Sequence, residues 1–96
     1  MNPAKVKRDQ VRHLTDLPNI GPAMAKDFEL IGINRPEQLV GQDPLQLYER
    51  LCVACGGRQD PCVLDTFISV TRFMSGDDPQ PWWAYTKERK RRYGSV

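Results

Sequence analysis

Three groups of residues in this chain have the types and spacing to do chemistry. Cys52-x-x-Cys55 with Cys62 offers thiolates, and His13 a possible fourth ligand, for zinc binding or disulfide exchange. The stretch "LPNIGPAMAKD" (17–27) concentrates residues that force a sharp reversal, which would leave backbone N–H groups free to meet an anion. Trp82, Trp83 and Tyr85 precede Lys87 and the run Arg89, Lys90, Arg91, Arg92, a pairing that can stack on bases while cations follow phosphates.

The thiols are the weakest of these. Zinc sites draw ligand pairs from two sides of a fold, and here the second pair is missing. Cys52 and Cys55 lie one helical turn apart on the stripe that carries Tyr48 and Leu51, so core packing is expected, with no metal and no cofactor. A reactive thiol wants the positive start of a helix, whereas this pair falls near a helix end. Cys62 does sit in a first turn but has no partner at motif spacing. His13 is the one histidine, and no carboxylate pair has acid-base spacing, so no catalytic residues and no enzyme are expected.

The corner is the strongest. Pro18 is unsuited to a helix interior, Asn19 and Gly21 tolerate positive φ, and Pro22 favours the first position of a new helix. Ile20 is expected to tuck between the flanking helices. The amides of Asn19, Ile20 and Gly21 would then face outward at the positive end of the second helix, with Ala23 and Lys26 alongside. Such donors suit a phosphate and read no base sequence.

The elements that must hold these groups read as helices throughout. One is predicted from Pro3 to about Asp16, with Val11 and Leu14 inward and Lys5, Arg8 and Arg12 in water. Others follow from Pro22 to Ile31, from Pro36 to Val40, from Pro44 to Cys55 and from Pro61 to Met74, each opened by proline and closed by glycine. "DDPQP" (77–81) is a stiff link into the tryptophans, at least one of which should pack on the bundle, and into a solvated, mobile basic run. The expectation is all-α: five short helices in a bundle over 1–76, and a Trp/basic segment over 77–96.

Bulk properties bound the function. The 96 residues carry 14 basic and 12 acidic side chains, a net charge of +2. With a pI of about 8.5, below the value near 9 usual for domains that grip DNA by charge alone, any nucleic-acid contact must be local. No apolar run is long enough for a bilayer, and the N-terminus lacks the apolar stretch of a secretory signal. The odd cysteine count fits reduced thiols, so the expected location is the cytoplasm, with no membrane or small-molecule partner.

Leu17, Pro18, Asn19, Ile20, Gly21 and Pro22 resemble the helix-hairpin-helix motif, which reads leucine, proline, glycine, apolar, glycine, proline, with Ala25 at its small-residue position. Asn19 stands in for the first glycine, and Ala23 stands where many DNA-binding members carry Lys or Arg, a loss that Lys26 partly offsets. "CGGRQDPC" (55–62) resembles a degenerate second hairpin with Gly56 and Gly57 as its turn and Pro61 opening the closing helix, which would make Gly57 and Arg58 further DNA contacts. The whole chain, including "DPCVLD" and "PWW", is similar to a small bacterial family of pathogenicity-locus or mitomycin-resistance proteins. The resemblance implies a tandem helix-hairpin-helix (SAM-like) bundle that binds DNA backbone without sequence preference, in DNA repair or DNA handling. Lys87, Arg89, Lys90, Arg91 and Arg92 would add loose phosphate contacts. The alternative is a protein-interaction adaptor that uses the same scaffold without touching DNA.

Overall fold

Proline placement sets the helix starts. In the computed structural model, which describes residues 2–94, α1 (Pro22–Leu30), α2 (Pro44–Ala54) and α3 (Pro61–Met74) all begin on a proline, where its missing N–H costs nothing. A fourth helix, α4 (Thr86–Tyr93), follows directly from a 3-10 turn, Trp82–Tyr85. The described residues contain no strand, so the chain is all-α with four α-helices. No helix among them is long and apolar enough to cross a membrane.

Helix α3 is the axis of the fold. Nine of its residues are buried, from Leu64 to Thr71 and again at Phe73, far more than one face of a helix. The surplus is explained by what surrounds it: α2, the 3-10 turn Pro36–Leu39, the Trp82–Tyr85 turn and α4 all pack against it. Phe67 stacks on Phe28 of α1 with ring centres 4.9 Å apart, and Leu17, Ile20, Leu39, Leu47 and Leu51 fill the core with no exposed area. Each such side chain contributes about 1.5–3 kcal/mol by leaving water. Buried hydroxyls on α3 bond back along their own helix, Thr71 Oγ1 to the Phe67 carbonyl at 2.9 Å and Ser69 Oγ to that of Thr66 at 2.6 Å.

Two predicted helices take another form. The N-terminal segment is three separate 3-10 turns, Pro3–Lys5, Arg8–Gln10 and Leu14–Asp16, broken by extended backbone at Val6, Lys7 and Val11. The breaks coincide with β-branched valines, and the segment buries Leu14 alone, too little apolar stripe to hold a continuous helix. Arg8 is exposed, as expected, but its guanidinium also lies over the Phe73 ring at 4.1 Å and donates to the carbonyls of Phe73 and, at 2.7 Å, Asp77. The predicted Pro36 helix is likewise one four-residue 3-10 turn.

The basic run is also folded rather than mobile. Arg89 Nε donates to Asp65 Oδ1 at 2.5 Å, and Thr86 Oγ1 donates to Asp65 Oδ2 at 2.7 Å. Asp65 is fully buried on α3, so this pair clamps α4 onto the bundle. Arg72 and Glu88 add a second ion pair between the same two helices. Residues 1, 95 and 96 of the two predicted segments lie outside the described residues.

Candidate nucleic-acid interface

The corner before α1 is built as its residue types dictate. The Ile20 amide donates to the Leu17 carbonyl at 3.4 Å, closing the turn, while Asn19 sits at φ 70°. Ile20 is fully buried, as expected for the residue that sets the angle of the corner. Its first arm is the 3-10 turn Leu14–Asp16 rather than a helix. Asp16 fastens that arm by accepting from the amides of Arg12 and His13 at 3.0 and 2.8 Å, and the Arg12 bond leads in holding its carboxyl below the usual range.

Asn19 does more than tolerate the turn. Its Nδ2 donates to Ser69 Oγ on α3 (3.0 Å) and to the Gln80 carbonyl (2.9 Å), and its Oδ1 accepts from the Trp82 amide (3.1 Å). The side chain is thus committed within the fold, leaving only the backbone of Asn19 for a ligand. Sequence reasoning missed this staple, because its partners lie 50 to 63 positions away.

The three proline-led helices differ at their caps. Asp43 accepts from the Leu45 amide at 2.9 Å to cap α2, and Asp60 accepts from the Cys62 amide at 2.8 Å to cap α3. α1 is capped by Gly21, which has no side chain to offer. Among the described residues nothing accepts from the amides of Gly21, Ala23 or Met24. Gly21 itself is extended (φ −96°, ψ −176°), and a Cβ there would meet no atom within 4 Å. Neither backbone strain nor crowding requires a glycine at this point, so the space over the helix start is simply open.

Against that opening stand the tryptophans. Trp82 is half-buried, Trp83 is 61% exposed, and the rings meet edge to face with centres 5.5 Å apart at 85°. Together with Pro3, Asn19, Ile20 and Gly21 they line a groove of about 320 Å³. Of the expected cations, Lys87, Lys90 and Arg91 are exposed on one face of α4, one turn after Trp83. Arg92 pairs with Glu88 at 3.2 Å, and Arg89 leaves the set of candidate DNA contacts altogether, being buried against Asp65. Ala23 and Lys26 are exposed on α1.

The second turn, at Gly56–Gly57, is open to solvent, with Gly56 at φ 72° and both Gly57 and Arg58 exposed. Tyr48 donates to the Gln59 carbonyl beneath it; burial raises the tyrosine's pKa and Arg58 beside it works the other way. The Asp60 carboxylate already occupies the start of α3, and the Cys62 bond leads in holding its pKa low. Cys62 gains nothing from its place in that first turn: burial and then Asp60 push its thiol upward. Cys55 is exposed and Cys52 half-buried, so of the expected core pair only Cys52 packs. Cys55 lies in the residue that ends α2, past the stripe that Leu47, Tyr48 and Leu51 bury.

The profile of the Cdd1 family, described as "Pathogenicity locus", matches residues 7–91. The chain belongs to this family. It is also similar to a mitomycin resistance protein, McrB, of Streptomyces lavendulae, with 50% identity over 78 residues that cover 81% of this chain and 74% of the relative. No solved structure gives a significant match. The Cdd1 match takes in the corner, the tryptophans and α4 as far as Arg91, so these features lie within the shared region.

Proposed function

We propose that this Cdd1-family chain binds DNA backbone without sequence preference, with the start of α1 as its phosphate site and the Leu17–Pro22 corner acting as a helix-hairpin-helix. The observation that carries the reading is the contrast in caps. α2 and α3 supply their own carboxylates, whereas α1 keeps its first amides for an anion from outside. Lys26 and the exposed cations of α4 supply local charge where the net charge supplies little. The relative's name ties it to mitomycin resistance, and we extend that role to this chain, as a binding protein in DNA repair or handling rather than an enzyme.

The test gives α1 the cap it lacks. Gly21→Asp fits the open space and the extended backbone, and it should leave the melting temperature unchanged or slightly higher. Duplex affinity, read by fluorescence polarisation at low salt, should fall by about 1.5–3 kcal/mol, the worth of hydrogen bonds to a charged group. Gly21→Ser, a neutral cap, should lower affinity in the same direction and so separate occupancy from repulsion. Undiminished binding by both variants would move the site elsewhere.

A second reading, the protein-interaction adaptor, is favoured by one feature. Leu30 (58% exposed) and Val53 (83% exposed) line a groove of about 680 Å³ between α1 and α2. A wild-type chain that ignores DNA at low salt would leave this reading in place.

A further inference from the structure

Resting on the backbone-binding reading, we propose that the groove between the corner and the tryptophan pair takes an unpaired nucleotide of single-stranded DNA, its base stacked on Trp83. Three observations converge there. Trp83 exposes 61% of its surface, and Trp82, whose amide is held by Asn19 Oδ1, braces it edge-on at 5.5 Å. The exposed ring is therefore presented in a fixed attitude and needs little ordering when a base arrives. The groove beside it, about 320 Å³, falls at the small end of ligand-sized clefts, roughly 300–1,000 Å³, and reaches Gly21 at the uncapped helix start.

Charge chooses the occupant. On α4, Glu88 pairs with Arg72 and Arg92, and Arg89 with Asp65. Lys87, Lys90 and Arg91 have no acidic partner among the described residues and stand exposed on α4, the helix that follows directly from the turn carrying Trp83. The ligand must offer both a flat aromatic face and a run of negative charge. A single strand offers both, whereas a duplex hides its base faces in the stack.

The experiment titrates the full chain with a short single-stranded oligonucleotide, the matching duplex, and an abasic strand of equal charge. Trp83→Ala and Trp83→Phe are compared with wild type by polarisation. Because Trp83 is exposed, Trp83→Ala should melt like wild type. It should lose about 5- to 100-fold on the single strand and change less than about twofold on the duplex, with Trp83→Phe retaining most of the affinity. The abasic strand should bind wild type no better than the normal strand binds Trp83→Ala. Wild-type affinity in a folded Trp83→Ala, or equal binding of abasic and normal strands, would overturn the proposal. If duplex binding persists in that case, the backbone reading survives alone; a wild type that binds neither form overturns both.

Discussion

The two turns that feed α1 and α3 start from the same materials, a small or polar reversal followed by a proline, and end in opposite states. At the first, the polar side chain points inward: Asn19 ties α3, Gln80 and Trp82 together and leaves the helix start bare. At the second, the polar side chain points along its own helix: Asp60 caps α3 and fills the start with a carboxylate. One turn is anchored behind and open in front. The other has its opening closed by its own residue, so two similar stretches of sequence differ in what their helix starts leave open through the placement of one polar side chain.

The contrast can be broken from the back, where the largest effect is expected. Arg89→Ala leaves the Asp65 carboxylate buried and unpaired, a loss of about 3–5 kcal/mol in denaturant unfolding. Hydrogen exchange should then quicken at the Trp82 amide, on the C-terminal segment that Arg89 pins, before it quickens around Gly57. An unfolding midpoint close to wild type would show that α4 is not clamped as described.

Asn19→Ala comes next. It puts alanine at φ 70° and removes three hydrogen bonds, for about 2–4 kcal/mol in all. Asn19→Gly should recover the backbone share but not the rest. If glycine restores full stability, the staple is energetically idle.

The smallest effect sharpens the second turn. Asp60 has a lowered pKa in the fold, so its cap stabilises above the unfolded carboxylate pKa and is lost as the pH falls through the folded one, below about 4. Asp60→Ala should therefore melt slightly below wild type at neutral pH and converge on it in acid. A difference that persists unchanged in acid would mean that Asp60 acts through something other than its charge.

Much of this fold was legible because proline and aspartate write helix starts locally. Asp43-Pro44 and Asp60-Pro61 place α2 and α3 to the residue, and Pro22 places α1. The N-terminal segment misled because cap and spacing suggested a helix, while the deciding quantity, apolar area available for burial, amounts to a buried Leu14 and partly buried Val6 and Val11. In the site, Ile20 and the positive φ of Asn19 followed from residue type alone. The fates of Asn19's amide and of Arg89 did not, since their partners lie far along the chain. Asp65 carried a signal in hindsight: a lone carboxylate within the buried run of α3 needs a cation, and Arg89 is the one that answers.

On the backbone-binding proposal, a phosphate sits on the free amides of α1 and on no other helix start. Amide chemical shifts of the labelled wild-type chain, followed by NMR while a short DNA duplex is added at low salt, test it at the atoms concerned. Gly21, Ala23 and Met24 should move together and saturate, and Leu45 and Cys62, whose amides already bond Asp43 and Asp60, should stay still. Shifts centred on Cys62 and Val63, or spread over α4 with none at Gly21, would contradict the account.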